Sequence, residues 1–297
     1  MAMAGLTIIG ESINDSVPST KKFFDAGDIE GLKSLAKAQD QGGAAYIDVN
    51  VGPRSGEFLA DLIRQVQSVT SKPISVDTPD PLMAEAGLRA VDISKCGGAA
   101  PILNSISPLR MQMFALNKIA RIRPILLVSE RMEKGQPQPN HTAQESYETA
   151  LFLVAEAKRH GIAVSDCIID PAISPIGTDS EGHLRRLVDT MQLIHTDPSL
   201  AGVHMSVGLS NFTVMLPPKT GGGAPTKAPL ESAFLTIAMP LGLDHVIGSV
   251  KRQYELLSLD HPAMKCVQDC LKLDGFDVIE RVQAFYARPH FFRRPSM

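Results

Sequence analysis

Short runs of β-branched and aliphatic residues alternate along the chain with longer stretches in which apolar residues recur every three or four positions. The short runs are typical of buried strands and the longer stretches of amphipathic helices. In the first helical stretch Asp28 is a predicted N-cap, Ile29, Leu32 and Leu35 follow the helical period, and Gly42 ends it. Eight strands are predicted, at residues 6–10, 44–50, 73–78, 101–105, 124–129, 166–171, 201–211 and 244–249.

This alternation predicts one α/β domain rather than two. Strands that are apolar throughout and separated by helices are typical of parallel sheets with both faces covered. No glycine-rich dinucleotide fingerprint follows the first strand, which disfavours an open, doubly wound sheet. We therefore predict a single-domain (β/α)8 TIM barrel over residues 1–287, followed by a C-terminal tail, residues 288–297.

Composition narrows the class of protein. The 297 residues are 44% hydrophobic and 21% charged, with a net charge of -3 and no tryptophan. We expect neither a membrane-bound protein nor one that binds nucleic acid, because long apolar runs and basic patches are lacking. The start of the chain does not resemble a secretory signal. Four cysteines are too few for a disulfide framework and fit a reducing cytoplasm.

Polar side chains stand where nearly every predicted strand ends. In a TIM barrel these carboxyl ends surround the active site, so the side chains should face a common mouth. Single residues of this kind often only cap helices or support turns. Their repetition favours a binding site. The set comprises Glu11, Asn14, Asp48, Asn50, Asp77, Asn104, Ser129, Glu130, Asp170 and Asn211.

Acids and amides dominate this set, and no group of histidines joins them. We therefore predict neither a metal site nor a histidine-based triad. A flat neutral heterocycle with adjacent N–H donors fits better, because a carboxylate accepts two parallel N–H bonds and asparagine both donates and accepts. A phosphate-rich ligand fits poorly, although Lys219 and Lys227 in the glycine-rich loop after the seventh strand are possible cations.

At these residues the sequence resembles the pterin-binding methyltransferases. These include methyltransferases acting between methyltetrahydrofolate and corrinoid proteins, and the folate domain of cobalamin-dependent methionine synthase. The order and spacing of the motifs carry the resemblance over nearly the whole chain. They are Gly10-Glu11-Ser12-Ile13-Asn14, Asp48-Val49-Asn50, Val76-Asp77-Thr78, Leu103-Asn104-Ser105, Ile168-Ile169-Asp170-Pro171, Gly208-Leu209-Ser210-Asn211 and Ala238-Met239-Pro240-Leu241-Gly242-Leu243-Asp244.

The resemblance implies a pterin held by Asp77, Asn104 and Asp170, with Asp170 on the N3–H and 2-amino edge. Asn211 matches the family asparagine that hydrogen-bonds N5 of methyltetrahydrofolate, and is the implied catalytic residue. Gly208 would admit the pterin and Ser210 would support the turn. Tetrahydrofolate and a corrinoid (cobalamin) carried by a partner protein are the implied substrates, in a direction left open, and a homodimer is expected by resemblance alone.

The chain departs from the family pattern in places, and two alternatives stay open. Ser12 and Val214 stand where the family often has an arginine and a glutamine, and Lys227 stands near a family arginine. Dihydropteroate synthase shares the barrel and the pterin-binding acids, but carries a basic Ser-Arg-Lys-like motif where this chain has Leu209-Ser210-Asn211. The other alternative is a module that binds pterin or corrinoid without turnover.

Overall fold

The computed structural model of the protein describes residues 3–287. Eight parallel strands close into a barrel in which each strand pairs with its sequence neighbours and the last with the first, which confirms the predicted fold. The predicted tail, residues 288–297, lies outside the described residues. The barrel strands are β1 (Thr7–Asn14), β2 (Tyr46–Asn50), β3 (Ile74–Asp77), β4 (Ile102–Ile106), β5 (Arg123–Leu127), β6 (Ile168–Asp170), β7 (His204–Gly208) and β8 (Leu243–Gly248).

Helices cover the outside of the barrel. They are α1 (Pro18–Ala26), α2 (Ile29–Gln41), α3 (Gly56–Val66), α4 (Pro81–Ala90), α5 (Ala143–Arg159), α6 (His183–Thr196), α7 (Leu209–Phe212), α8 (Lys227–Ala238), α9 (Pro262–Cys270) and α10 (Phe276–Tyr286). Short 3-10 helices cover Ile93–Cys96, Met111–Lys118, Val164–Asp166, Ile176–Thr178, Pro198–Leu200 and Met239–Leu241. None of the described helices has the length and apolar character needed to cross a membrane.

Capping side chains explain several helix starts. Asp28 accepts a hydrogen bond from Gly31 N at 2.8 Å and begins α2, as predicted. Thr142 begins α5 in a capping box, its hydroxyl accepting from the Glu145 amide at 3.2 Å. The sequence predicts a helix over residues 179–195, but Asp179 accepts from the backbone of His183 and α6 begins only at His183.

Three segments differ from the predicted elements. The sequence did not predict α1 or the short helix α7. The segment predicted as an α-helix from about residue 108 is the 3-10 helix Met111–Lys118, whose first turn lacks a side-chain cap. The polar loop predicted at residues 130–140 is a two-stranded hairpin of Glu130–Glu133 and Gln136–Pro139. The sequence did not predict this hairpin, because its second strand contains prolines, which are tolerated only in edge strands.

Two hydrophobic layers hold the barrel together. The larger one lies between strands and helices and contains the fully buried Phe114, Phe212 and Phe234. The thiols of Cys266 and Cys270 are buried in the same layer, as expected for small apolar residues. A smaller group fills the barrel interior, and we call it the interior cluster: Ile9, Tyr46, Ile102, Ile125 and Ile168. The barrel is therefore packed along its axis and is not a pore.

Candidate active site

A cavity of about 290 Å³ opens at the carboxyl ends of the barrel strands. Four carboxyl groups and three amides line it, and none of its lining residues is a lysine or an arginine. Polar residues from five strands and from α7 therefore meet at one place, as the sequence predicted. The lining residues are Glu11, Asn14, Asp48, Asp77, Asn104, Leu127, Asp170, Ala172, Ile173, Gly208, Asn211 and Ile247.

Strand register explains why distant residues meet here. Asp77 at the end of β3 is the direct partner of Asn104 on β4. Leu127 at the end of β5 is the partner of Asp170 on β6 in the same way. Because parallel strands end at the same edge of the barrel, partners in register bring their side chains to one mouth.

Asp48 and Asp77 form a buried acidic pair. Asp48 Oδ1 accepts from Ser75 Oγ at 2.5 Å and from Asn104 Nδ2 at 3.4 Å, while Asp77 Oδ2 accepts from Asn50 Nδ2 at 2.9 Å. Burial raises the pKa of Asp48 well above its usual range, and the charge of Asp77 raises it further. The pKa of Asp77 is also raised by burial, against the hydrogen bond from Asn50. The pair therefore retains a proton to higher pH than an isolated aspartate does.

Asp48 also has an oxygen to which no described group donates. Its Oδ2 is buried and accepts no hydrogen bond, although the residue lines the cavity. A buried polar atom without a partner costs free energy comparable to a lost hydrogen bond. A ligand with polar edge groups would remove that cost, so the geometry favours a hydrogen-bonding ligand at this carboxyl group.

Asp170 supplies a second deep carboxyl group. Its side chain is 7% exposed and accepts a hydrogen bond from the Ala172 amide at 2.8 Å. Burial raises the pKa of Asp170 to about 7. The carboxyl group therefore changes charge close to neutral pH. It can lose its proton and then accept hydrogen bonds from N–H donors of a ligand.

Asn211 reaches the cavity from α7, not from the end of a strand. β7 ends at Gly208, and the single-turn helix α7 begins at the next residue, so Asn211 lies above the strand ends. The hydroxyl of Ser210 donates to Glu11 Oε1 and ties this helix to β1. Burial raises the pKa of Glu11, against the hydrogen bond from Ser210 and the charge of Arg252.

A buried polar network supports α7 from behind. Glu231 on α8 is fully buried, accepts from the Thr213 hydroxyl and pairs with Arg252. Arg252 Nη1 also donates to Thr213 Oγ1 at 3.3 Å. Sequence reasoning missed this network, because a single glutamate inside an apolar helix and an arginine 39 residues from Thr213 share no motif.

Not every residue predicted for the site reaches the cavity. Asn50 and Ser210 bond to lining residues without lining it themselves. Ser129 and Lys227 are not among the lining residues: Ser129 O accepts from Asn140 N at 2.8 Å, and Lys227 Nζ donates to Val214 O at 3.1 Å. The sequence also missed Ser75, which looked like an ordinary mid-strand residue but holds Asp48.

A larger cavity, of about 760 Å³, opens at the amino-terminal face of the barrel. Its arginines already have partners. Arg89 bonds Glu85 at 2.8 Å, Arg121 bonds Asp166 at 2.8 Å, and Arg123 donates to Tyr46 at 3.0 Å. The smaller cavity is the better candidate for chemistry, because it gathers acids with raised pKa values at the face where TIM barrels react.

Comparison with known proteins fits this geometry. The model of the pterin-binding enzymes matches residues 14–249, which include all of the acids above except Glu11. The chain belongs to the pterin-binding enzyme family. A member of known activity, the methylcorrinoid:tetrahydrofolate methyltransferase of Eubacterium limosum, is 26% identical over 247 residues, or 82% of this chain and 84% of that protein.

Solved structures similar to this family member share its fold. Dihydropteroate synthase of Xanthomonas albilineans, solved with 4-aminobenzoic acid, is 18% identical with a TM-score of 0.51, over 94% of this chain and 92% of that one. Dihydropteroate synthase of Burkholderia cenocepacia is 17% identical with a TM-score of 0.52, over 82% and 84% of the two chains. At these identities the likeness extends to the barrel alone.

Proposed function

We propose that the protein transfers a methyl group between N5 of methyltetrahydrofolate and the cobalt of a corrinoid carried by a partner protein. The observation that carries the proposal is the cavity of four carboxyl groups and three amides with Asn211 at its mouth. The name of the E. limosum relative supports the same reaction.

The acids suit the pterin ring. A pterin presents an N3–H and a 2-amino group side by side, and a carboxylate accepts two such parallel bonds. Asp170, deep in the cavity, takes that edge in our proposal, while Asp77 and Asn104 bind the rest of the ring. The Oδ2 of Asp48, which accepts no hydrogen bond in the free protein, gains a donor when the cavity is filled.

Asn211 acts on the leaving nitrogen. When cobalt(I) attacks the methyl carbon, the carbon–cobalt bond forms, the carbon–N5 bond breaks, and N5 must take up a proton. An amide that donates a hydrogen bond to N5 stabilises the negative charge that develops on this nitrogen in the transition state. An amide cannot supply the whole proton, but the Glu11 carboxyl, whose pKa burial raises, lines the same cavity and bonds Ser210 beside Asn211.

Dihydropteroate synthesis fits the cavity less well. That reaction releases pyrophosphate, and a site for it needs cations or several backbone donors. No lysine or arginine is among the residues that line this cavity in the described chain. Leu209-Ser210-Asn211 also stands where those enzymes carry a basic motif, so we favour methyl transfer.

The test is anaerobic methyl transfer from methyltetrahydrofolate to cob(I)alamin, followed by corrinoid absorbance, and the reverse reaction from methylcob(III)alamin. We expect transfer by the wild-type protein. Asn211→Ala should lower the transfer rate about 100-fold while the folate Kd changes little. Gln192→Ala, which removes an exposed amide on α6, is the matched control and should keep the full rate.

Each alternative has its own outcome. Folate binding without transfer, to free or protein-bound corrinoid, would support a binding module. Condensation of 4-aminobenzoate with a pterin pyrophosphate would support dihydropteroate synthesis. An unchanged transfer rate in Asn211→Ala would contradict the role proposed for Asn211. The homodimer and the cytoplasmic location stay predictions that size measurement and fractionation address.

A further inference from the structure

Two histidines and an aspartate meet at the amino-terminal face of the barrel, at the end opposite to the pterin cavity. His204 begins β7, and Asp244 and His245 lie at the start of β8. Asp244 Oδ2 lies 2.5 Å from His204 Nδ1, and Asp244 Oδ1 lies 2.7 Å from His245 Nδ1. Of the described residues, these three alone form a group of histidine, cysteine or acid side chains close enough to bind one metal ion.

A strand irregularity brings the three side chains together. Adjacent residues of a regular strand point to opposite faces, so Asp244 and His245 would ordinarily point apart. The register of β8 against β7 shifts between Leu243 and His245, as in a β-bulge. Bulges re-aim side chains in this way. Asp244 therefore reaches His204 on the neighbouring strand while His245 stays on the side of the barrel interior.

The donors match the preferences of zinc. Imidazole nitrogen and carboxylate oxygen are common zinc ligands, at about 2.0 to 2.2 Å from the ion. A tetrahedral ion then holds its donor atoms about 3.3 Å apart. The ligand atoms of the three residues lie within 4.8 Å of one another, so one ion can contact all three.

The surroundings suit a bound ion. The Met205 amide donates to Asp244 Oδ1 at 3.2 Å and orients the carboxylate, as groups around metal ligands commonly do. The side chains of His204 and Asp244 are 30% and 36% exposed, which leaves a path for an ion and for water as a fourth ligand. His245, by contrast, is 3% exposed and fixes the inner side of the site.

The local charge selects the kind of metal. Asp244 is the one acid in the group, and the guanidinium of Arg123 acts on His245 from β5. Calcium and magnesium bind mainly through several oxygen ligands and are disfavoured here. Metals that accept neutral imidazole ligands can bind at a site with only one carboxylate. Zinc is such a metal, and it prefers tetrahedral coordination.

We propose that His204, Asp244 and His245 form a zinc-binding site on the amino-terminal face of the barrel. The ion links the first residues of β7 and β8 and stabilises the barrel at that end. It takes no part in methyl transfer, because the interior cluster lies between the two ends. The proposal is independent of the proposed function, and its test needs no turnover.

The test uses the full-length protein after treatment with a chelator. Calorimetric titration should give one Zn²⁺ per chain with a micromolar or tighter Kd, and Co²⁺ should give the visible absorption of a four-coordinate ion. His204→Gln and Asp244→Asn should each weaken Zn²⁺ binding by roughly 100-fold. His141→Ala is the matched control, since it removes an exposed histidine far from the group, and should bind as wild type does.

Stability gives a second readout. An ion that binds only the folded chain should raise Tm by roughly 5 °C at 100-fold excess over Kd, in the wild type but not in His204→Gln. Circular dichroism of each variant separates loss of the site from loss of folding, so that a variant that does not fold leaves the other as the test. Absence of Zn²⁺ binding in wild type would overturn the proposal and leave a hydrogen-bonded trio. Equal affinity in wild type and both variants would also overturn it.

Discussion

The side-chain amide of Asn211 occupies the space that a methyl group on Gly208 would need. A Cβ built on Gly208 would lie 2.9 Å from Asn211 Nδ2, closer than side chains normally approach. Gly208 precedes Asn211 by three residues, and the absence of a side chain at the glycine therefore decides where the asparagine side chain can point. The sequence suggested that Gly208 makes room for the pterin, whereas the nearest neighbour of its missing Cβ is Asn211.

Gly208→Ala tests this relationship. The added methyl group should turn the Asn211 amide away from the cavity and leave the fold intact, because the crowded atom is the end of a flexible side chain. We expect methyl transfer to slow by roughly 10- to 100-fold, with folate binding nearly unchanged. Gly222→Ala, where a Cβ meets only Thr220 Oγ1 at 3.8 Å, is the control. Equal rates in both variants would contradict the finding.

Folate affinity should depend on pH through Asp170. Burial raises the pKa of Asp170 to about 7, so the free protein carries a proton there at lower pH. In the proposed complex the pterin N–H groups bind the ionised carboxylate, so the proton must leave first. Below pH 7 we expect the folate Kd to rise up to about tenfold per pH unit. Calorimetry from pH 5.5 to 8.5 measures the folate Kd. Asp170→Asn should bind folate weakly, and its Kd should no longer depend on pH in this way.

Asp48→Asn should make the protein more stable above neutral pH. Burial and the charge of Asp77 raise the pKa of Asp48 above its ordinary value of 3.8. The folded state then holds a proton that the unfolded chain loses, so wild-type stability falls as pH rises through this window. The variant lacks this penalty and still offers Ser75 an acceptor. Thermal unfolding should give a Tm difference that grows from pH 5 to pH 8.

An exposed aspartate gives the comparison for that experiment. Asp189→Asn changes the same chemical group on the surface of α6. Its Tm difference from wild type should stay small at both pH values, because the side chain is exposed and lies outside the cavity. If Asp48→Asn behaved as Asp189→Asn does, the proton would not lie on Asp48.

Arg252→Met should destabilise the protein by roughly 3 to 5 kcal/mol. The change leaves the buried carboxylate of Glu231 without its cation, and an unpaired buried charge is costly. The double variant Glu231→Gln with Arg252→Met should recover much of the loss. Urea unfolding measures all three proteins. Arg89→Met, which breaks an exposed ion pair with Glu85, should cost less than about 1 kcal/mol.

The barrel and much of its site could be predicted from the sequence because they depend on local patterns. Strand period, caps such as Asp28 and Thr142, and the rule that parallel strands end at one face are enough to bring Asp77 and Asn104 together. Each of these signals depends on only a few neighbouring residues. The elements they predict are confirmed where a segment shows a single clear pattern.

What the sequence did not predict depends on contacts between distant segments. The pairing of Glu231 with Arg252 and the bond from Ser210 to Glu11 join residues that no motif connects. The single turn α7 is too short to show a helical period, so Asn211 looked like the end of a strand. The approach of His204 to Asp244 depends on a register shift in β8, which leaves no trace in the amino-acid pattern.

The interior cluster divides the barrel into two chemical compartments. Its five side chains, four isoleucines and Tyr46, are each under 9% exposed and lie between the acid-lined cavity and the face that carries His204. Apolar packing of this kind gives water and ions no polar partners along the axis. We therefore expect that substitutions at His204, Asp244 or His245 leave the chemistry of the cavity at the other end unchanged.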